Sequence, residues 1–280
     1  MKRFHKYQGA GNDFIVFNSM NDEGGLPNWL TPQKVQYLCR RKYGIGGDGV
    51  ILLTGSEKAE VGMRLFNADG SEAELSGNGL RCLALFVREL GLCFENPFTV
   101  ETGGGVNRVE IAVDDRVKVW MPKPKFQPED IPILDSDECV DRKKEFGGDN
   151  FTITALSVGN PHCVIFNDFN IDDARKWGWE IEKSEYFPRR TNVEFARVLE
   201  QDRIRVVVWE RGVGITDACG SGACAAVIAG IRTGRLEFDR PVTVEQVGGN
   251  VLVTVSGDYR AIILEGEAEK VFEGEVDLQG

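Results

Sequence analysis

Two short stretches of the sequence place a residue with a reactive side chain directly before a glycine-rich turn and an apolar run. Residues 74–82 read ELSGNGLRC, in which Ser76 precedes Gly-Asn-Gly. Residues 217–227 read DACGSGACAAV, in which Cys219 precedes Gly-Ser-Gly. Each apolar run predicts a helix, and the first N–H groups of a helix have no partner inside it. Both stretches therefore predict a helix start that can bind an anion beside a hydroxyl or a thiol.

A thiol at a helix start is a candidate base because the positive end of the helix dipole stabilises a thiolate. We therefore expect the pKa of Cys219 to fall from about 8.5 toward neutrality. Glycines in the turn let a ligand carboxylate approach the backbone closely. Two such helix starts facing each other would hold one carboxylate, with a base on either side. That geometry suits inversion of the carbon next to the carboxylate, since one base removes the α-proton and the other delivers a proton to the opposite face.

Further markers recur in the same order around both stretches, which indicates two homologous halves. GAGNDFIVFN in the first half matches SVGNPHCVIFN in the second, so that Asn12 corresponds to Asn160. A polar residue precedes each reactive residue by nine positions, Asn67 in the first half and Glu210 in the second. A turn with a purely structural role has no reason to recur together with these partners, so the repetition favours a functional site.

The sequence predicts an α/β fold of the α+β type, with two halves related by a pseudo-two-fold. Each half is expected to be a β-barrel-like set of strands around a central helix, because the helices after Ser76 and Cys219 are apolar on nearly every face. We expect an N-terminal half at residues 1–122, to which residues 266–280 return, and a C-terminal half at residues 123–265. The charged segment 123–149 is predicted to connect them. A further helix is predicted over residues 30–43, with Thr31 as its N-cap and Gly44 as its stop.

Composition narrows the classes of partner and compartment. The net charge of −11 and a pI of about 4.9 argue against nucleic acid or an anionic membrane surface as a partner. No apolar run reaches the roughly 20 residues of a membrane span, and the N-terminus lacks the apolar stretch of a signal peptide. Seven cysteines without a CxxC motif predict free thiols in the reducing cytoplasm. With only two histidines, we expect no zinc site and no other metal.

Each residue also has a structural interpretation when it is considered alone. Asparagines often occupy turns, which would account for Asn67, Asn160 and Asn192. His162 is interpreted as a structural hydrogen-bonding residue, and Arg211 could be a surface residue. A buried cysteine is commonly a small core residue. We interpret six cysteines in this way: Cys39, Cys82, Cys93, Cys139, Cys163 and Cys224.

Taken together, the motifs resemble the diaminopimelate epimerase family. In order, they read GAGNDF, NADGSEAE, GNG-x-RC, GNPHC, NVEF, WERG and ACGSGAC, and they run from about Gly9 to about Thr233. The resemblance implies a cofactor-independent isomerase that interconverts LL- and meso-diaminopimelate, on the route to lysine and peptidoglycan, by a two-base mechanism. It also implies two similar halves, each a strand barrel around a central helix, with the active site in the cleft between them. We expect that the chain can form a homodimer.

The resemblance assigns roles to individual residues. Cys219 matches one of two catalytic thiols, and Gly77, Asn78, Gly220 and Ser221 match the turns whose N–H groups hold the reacting carboxylate. The remaining matches bind the rest of the substrate: Asn12, Asn67, Asn160, Asn192, Glu210 and Arg211. Within this set, Arg211 suits the distal carboxylate, and Glu210 serves an ammonium group. Asp48-Gly49 stands where some members have Asp-Gln, so we expect one contact to be absent or supplied by backbone.

Ser76 departs from the family, because it stands where the family has its other catalytic cysteine. A serine hydroxyl is not a base at neutral pH without a neighbour that activates it. Three explanations stay open: an engineered Cys→Ser variant, a natural paralogue with one working base, or a proton relay through Ser76 and water. We expect impaired epimerisation, because Ser76 replaces one catalytic cysteine.

Other functions are compatible with a single thiol. A dehydratase of the wider superfamily would remove the α-proton and expel a β-hydroxyl. A racemase of the same fold would act on another amino acid, such as histidine. A binding protein would only sequester the amino acid. Arg211 and the asparagines favour a long dicarboxylate and count against the dehydratase.

Overall fold

A computed structural model describes residues 1–22, 27–92 and 95–278 of the chain. The chain divides into two compact units: unit 1 contains Met1–Trp120 and Glu265–Gly280, and unit 2 contains Met121–Leu264. The homologous halves predicted at 1–122 with 266–280 and at 123–265 stay a prediction. Cys93, which was predicted to pack in the core, lies outside the described residues. None of the described helices is long and apolar enough to cross a membrane.

Unit 1 contains most of the first half of the chain and its last strand. Its helices are α1 (Pro32–Cys39) and α2 (Gly77–Glu89). Its strands are β1 (Lys2–Gly9), β2 (Asn12–Asn18), β3 (Gly49–Thr54), β4 (Val61–Asn67), β5 (Glu72–Ala73), β6 (Phe98–Thr102), β7 (Gly105–Ile111), β8 (Val117–Met121) and β18 (Glu269–Val276). Strand β8 contains the first point at which the chain passes from one unit to the other.

Unit 2 has the same kinds of element in a similar order. Its helices are α3 (Ile171–Glu182) and α4 (Gly220–Arg232). Its strands are β9 (Arg142–Phe146), β10 (Asp149–Ser157), β11 (Pro161–Phe166), β12 (Asn192–Glu200), β13 (Arg203–Glu210), β14 (Gly214–Thr216), β15 (Val242–Gln246), β16 (Gly249–Val255) and β17 (Ile262–Gly266). Strand β17 contains the second passage between the units.

Both units pair their strands in one pattern. The order is β18–β1–β2–β3–β4–β6–β7 in unit 1 and β9–β10–β11–β12–β13–β15–β16 in unit 2. Along each order the contacts are antiparallel, antiparallel, parallel, antiparallel, parallel and antiparallel. A short strand, β5 or β14, adds to β4 or β13 in the same antiparallel way. The shared pattern confirms the predicted fold of two similar strand sets.

A buried helix lies at the centre of each strand set. Helix α2 packs on β1, β2, β3, β4, β7 and β18, and α4 packs on β10, β11, β12, β13, β15 and β16. Residues 77–87 of α2 are buried without interruption, and so are residues 222–231 of α4. A helix that is apolar on nearly every face is stable in water only when other elements cover it, which the strands do here. The predicted central helices are therefore confirmed.

The predictions for the other two helices, α1 and α3, were only partly correct. Thr31 caps α1 as predicted, with its hydroxyl accepting from Lys34 N at 3.2 Å, but the helix ends at Cys39 and does not extend to Gly44. Helix α3 was missed. Its signal is a capping box in which Asn170 accepts from Asp173 N at 3.0 Å and Asp173 accepts from Asn170 N at 3.2 Å.

One expectation about an element was wrong, and strand β3 was not predicted. Segment 123–149 is part of unit 2, where β9 pairs with β10, so its prediction as a connection between halves was wrong. Strand β3, GVILLT, was missed because all six of its residues are buried, so it shows no alternation of apolar and polar positions.

A substitution at Gly178 of α3 would test how tightly this helix packs against β13, the strand that contains Trp209. An added methyl group would lie 2.5–2.6 Å from Cβ, Cγ and Cδ2 of Trp209, atoms too close to the backbone to swing aside. We expect Gly178→Ala to lower the free energy of unfolding by about 1–3 kcal/mol through overpacking, although alanine is favoured over glycine in helices by about 1 kcal/mol.

Urea unfolding would measure this difference. Gly55→Ala is the control, because a methyl group there meets nothing within 4 Å, and its effect should stay within about 0.5 kcal/mol. An equal loss of stability in both variants would contradict the packing argument.

Candidate active site

Cys219 is the N-cap of α4. Its backbone is extended, and its Sγ accepts from Gly222 N at 3.4 Å and lies 3.5 Å from Ser221 Oγ. The side chain that caps the helix is therefore also the thiol that the sequence predicted to react. Gly220 and Ser221 form the first turn of α4, which places their N–H groups at the positive end of the helix.

The pKa of Cys219 was predicted to be lowered, and that prediction is wrong. Burial raises the pKa of the thiol well above its ordinary value, and the carboxylates of Glu210 and Glu194 raise it further. Hydrogen bonds from Ser221 and from Gly222 N act in the opposite direction but are outweighed. Loss of hydration and the two nearby carboxylates thus dominate over the helix start.

Gln246, at the end of β15, is a residue of this site that the sequence analysis missed. Its Oε1 accepts from Cys219 N at 3.1 Å and its Nε2 donates to Cys219 O at 2.9 Å. This pair of bonds fixes the backbone of the thiol residue on both sides. No local motif marks Gln246, because the contact joins residues 27 positions apart.

A chain of polar side chains lies beside this helix start. Asn160 Nδ2 donates to Ser221 Oγ at 3.4 Å, and Asn160 Oδ1 lies 2.9 Å from His162 Nε2. His162 Nδ1 lies 2.7 Å from Glu194 Oε1, and both of those side chains are fully buried. The interpretation of His162 as a hydrogen-bonding residue therefore agrees with its contacts.

Asn192 and Arg211 are connected through the backbone. Asn192 Oδ1 accepts from Arg211 N at 2.9 Å, and its Nδ2 donates to Pro161 O at 2.9 Å. Asn192 is buried, and its bond to Arg211 N holds the backbone of Arg211, the residue that was predicted to bind a carboxylate. Arg211 itself is exposed, and its guanidinium has no ion-pair partner within the described ranges.

Glu210 lies directly before Arg211 at the end of β13. Its carboxylate accepts from Thr216 Oγ1 at 2.7 Å, and burial raises its pKa. A cation close to this carboxylate would replace the hydration that the group has lost. This environment suits the ammonium-binding role that the resemblance implies.

Ser76 occupies in unit 1 the position that Cys219 occupies in unit 2. It is the N-cap of α2, its backbone is extended, and its Oγ accepts from Gly79 N at 3.1 Å. Gly77 and Asn78 form the first turn of the helix and are buried. In unit 2, Asn160 contacts Ser221, the second residue of α4. The same contact recurs in unit 1, where Asn78, the second residue of α2, donates from Nδ2 to Asn12 Oδ1 at 3.2 Å.

A network of ion pairs holds Asn12. Asp48 accepts from Asn12 Nδ2 at 2.9 Å and from Arg41 at 2.7 Å. Arg41 also binds Asp13, whose other cation is the buried Lys6. Burial raises the pKa of Asp13, but the hydrogen bonds from Arg41 and Lys6 outweigh that effect and lower it to about 2.

Gly49 and Asn67 complete the predicted positions in unit 1. A side chain at residue 49 would place its Cβ 2.6 Å from Phe66 O, so the approach of β4 requires glycine there. Asn67 pairs with Gly49 across β3 and β4, is exposed, and donates from Nδ2 to Ser71 Oγ at 3.1 Å.

One cluster of metal-ligating groups occurs among the described residues, and one of its members, Glu89, is the last residue of α2. His5, Glu89 and Glu273 bring their ligand atoms within 4.8 Å of one another. The ammonium of Lys270 already contacts both carboxylates. The cluster is therefore an ion-pair network with its own cation.

Solved structures of other proteins have the same fold. A phenazine biosynthesis protein of the PhzF family from Bacillus anthracis aligns with a TM-score of 0.68 at 18% identity, covering 98% of both chains. A hydroxyproline epimerase from Agrobacterium vitis aligns with a TM-score of 0.67 at 14% identity, covering 98% of this chain and 90% of the other. The chain thus has the fold that these proteins share, with a thiol and a hydroxyl at its two central helix starts.

Sequence relatives identify the family. A profile described as diaminopimelate epimerase matches residues 4–127 and 154–271. Diaminopimelate epimerase from Trichodesmium erythraeum is 42% identical over 278 residues, which cover 98% of both chains. The enzyme of the same name from a Synechocystis strain is 41% identical over 280 residues, covering 98% of this chain and 99% of its own. The chain belongs to the diaminopimelate epimerase family.

The charges around Cys219 lead to a test of the thiol. Glu210 raises the pKa of Cys219, so Glu210→Gln, which removes that charge, should lower it. Alkylation of Cys219 by iodoacetamide should then reach half of its maximal rate at a lower pH than in the unmodified protein. Peptide mass spectrometry follows this residue separately from the other cysteines.

Glu200→Gln is the control for this experiment, because it removes the same charge from an exposed residue at the end of β12 that pairs with Arg203. The alkylation profile should not move in this variant. A Glu210→Gln profile that moves to higher pH, or does not move, would contradict the assigned cause of the raised pKa.

Proposed function

We propose that this chain epimerises LL-diaminopimelate to meso-diaminopimelate without a cofactor, at a rate limited by Ser76. Membership of the family supports the reaction, and the position of Cys219 supports the chemistry. A thiol that caps a buried helix has the N–H groups of the following turn beside it. A carboxylate bound to those N–H groups would therefore bring its α-carbon close to the thiol.

The residues that we assign to the substrate divide by charge. The N–H groups of Gly77, Asn78, Gly220 and Ser221 would hold the reacting carboxylate. Arg211, whose backbone Asn192 fixes, offers a planar fork to the distal carboxylate. Asn12, Asn67 and Asn160 supply neutral hydrogen bonds.

The substrate itself would activate Cys219. The carboxylate of Glu210 raises the pKa of the thiol, so an ammonium group paired with Glu210 would offset that effect. The thiolate would then remove the α-proton. Ser76 would have to protonate the opposite face, for which its hydroxyl is a weak acid.

The first test of this function restores the second thiol. Ser76→Cys is expected to increase turnover of LL-diaminopimelate by about 10²–10⁴-fold, the usual contribution of a general acid or base. An assay of meso-diaminopimelate formation would measure it, with Cys82→Ser as a control for general effects of thiol content, because Cys82 is buried within α2. If the unmodified protein already matched the Ser76→Cys variant, Ser76 would be a competent partner and the assigned defect would be wrong.

The second test uses the asymmetry between Cys219 and Ser76. In heavy water the protein should introduce deuterium at the α-carbon of one stereoisomer, with retained configuration, faster than it forms the other. The reason is that Cys219 removes a proton and returns one to the same face before Ser76 can act. NMR of the α-proton of each isomer would measure both rates.

Cys219→Ala should abolish this exchange, whereas Cys224→Ala should retain it. Equal exchange of both isomers would show that Ser76 also acts as a base. Binding without any exchange would favour a protein that only sequesters diaminopimelate.

We further propose that the enzyme works in the cytoplasm as a homodimer. The six cysteines among the described residues are free thiols, and a catalytic thiol has to stay reduced. Strand β18 exposes two large apolar side chains, Val271 and Phe272, at 53% and 46%. A second copy that covers these side chains would remove apolar surface from water.

A further inference from the structure

A buried carboxylate at the end of α3 binds the chain on either side of Arg211. Glu182 is the last residue of α3 and is 2% exposed. Its Oε1 accepts from Gly212 N at 2.9 Å, and its Oε2 accepts from Trp209 Nε1 at 2.7 Å. Backbone and indole N–H groups only donate, so each contact can be assigned in only one way. Both oxygens of Glu182 are therefore acceptors.

The turn between β13 and β14, residues 211–213, has little packing that could fix its position. All three residues are exposed, and Val213 is 72% exposed. Gly212 has a φ of +79°, and a methyl group added there would meet nothing within 4 Å. Val213 N donates to Glu210 O at 3.0 Å, which closes the turn on itself. Hydrogen bonds from other elements are needed to hold such an exposed turn in one place.

Two consecutive N–H groups of this turn have bonds of that kind. Asn192 of β12 accepts from Arg211 N, and Glu182 of α3 accepts from the next N–H group, that of Gly212. The second oxygen of Glu182 binds the side chain of Trp209, two residues before Arg211. The backbone that carries Arg211 is therefore connected to a strand and to a helix of unit 2.

The equivalent turn of unit 1 is held differently. By the pairing of the strands, Phe66 and Ala68 stand where unit 2 has Trp209 and Arg211. A phenyl ring has no N–H group to donate, and alanine has no charged group to place. The carboxylate bound to this turn is that of Asp69 in the turn itself, which accepts from a backbone N–H two residues later at 2.8 Å. A carboxylate from a separate helix thus occurs in the unit whose turn carries an arginine.

We propose that Glu182 is a positioning residue that holds the β13–β14 turn so that the guanidinium of Arg211 meets the distal carboxylate of the ligand. The inference rests on the proposed function in taking diaminopimelate as the ligand and Arg211 as the residue that binds its distal end. An arginine whose backbone is fixed before binding loses less conformational freedom when it pairs with a carboxylate. Glu182 thus favours a ligand with a second carboxylate, although its own oxygens bind only the protein.

Glu182→Gln separates position from charge. Glutamine has nearly the same shape but only one acceptor oxygen, so one of the two donors loses its partner in either orientation of the amide. The loss of a negative charge near Arg211 would by itself strengthen the binding of a carboxylate. It would also release Arg190, whose Nη1 lies 3.6 Å from Glu182 Oε1. Weaker binding in this variant therefore has to come from the position of the turn.

Hydrogen exchange followed by NMR measures the turn without any substrate. In the unmodified protein the N–H of Gly212 should exchange slowly although the residue is exposed, because a buried oxygen accepts from it. In Glu182→Gln, the N–H of Gly212 or the indole N–H of Trp209 should exchange about tenfold faster. A Trp209→Phe variant identifies the indole signal among those of the five tryptophans.

Glu185→Gln is the matched control for this experiment. It removes the same charge from an exposed residue three positions beyond the end of α3, and both exchange rates should stay as they are. Unchanged rates in Glu182→Gln would overturn the proposal. Rapid exchange of the Gly212 N–H in the unmodified protein would also overturn it, even if Glu182→Gln did not fold.

A double-mutant cycle with Arg211 tests whether Glu182 acts through this residue. Calorimetry should show that Glu182→Gln binds diaminopimelate about tenfold more weakly than the unmodified protein. In an Arg211→Ala background the same substitution should change the affinity less than about twofold, because no guanidinium is left to position. Glu185→Gln should have no effect in either background. An equal loss in both backgrounds would mean that Glu182 only stabilises the fold, and would contradict the proposal, as would unchanged or tighter binding in Glu182→Gln.

Failure of the proposed function would give a different result. If the unmodified protein did not bind diaminopimelate, the proposed function would be wrong, and so would the role of Glu182 in binding this ligand. Slow exchange of the Gly212 N–H that becomes faster in Glu182→Gln would still support the hold of Glu182 on the turn.

Discussion

The free N–H groups at the start of a buried helix are the constraint on which both halves of the site depend. Helices α2 and α4 are covered by strands, and the first N–H groups of each helix have no partner inside it. A side chain at the N-cap has to accept from the third helical N–H, as Ser76 does at Gly79 and Cys219 does at Gly222. The capping residue is consequently held at the same point where an anionic ligand would bind, which links the stability of each helix to its chemistry.

This link has opposite consequences for oxygen and for sulfur. Serine is a preferred N-cap residue, and its bond to Gly79 N is 3.1 Å, whereas the thiol of Cys219 accepts at 3.4 Å. The hydroxyl is also the far weaker acid. A serine at residue 76 therefore suits the structural role at the expense of proton transfer, as is common where stability and activity compete at one site.

The sequence was most informative where the residues of a motif lie close together in the chain. The two N-caps, their glycine turns and the repeated asparagines were visible because they lie close together in the chain and recur. The bonds from Gln246 and Glu194 could not be predicted, because each depends on a strand pairing that joins distant segments. The pKa of Cys219 was mispredicted for a related reason. The helix start is a local feature, but the burial and carboxylates that outweigh it come from β12 and β13.

The difference between the two units bears on how a duplicated fold can become a site with two unlike sides. Unit 1 fills the space under its central helix with Phe14 and Ile51, which stabilise the fold by removing apolar surface from water. Unit 2 places His162 and Glu194 there, and burial of such a pair is rarely favourable compared with apolar residues of similar volume. The two side chains make hydrogen-bond-length contacts, with each other and with Asn160, that apolar residues cannot make. Here it lies under the helix start that has a thiol, and not under the one that has a hydroxyl, so the two helix starts differ both in the capping atom and in the residues beneath them.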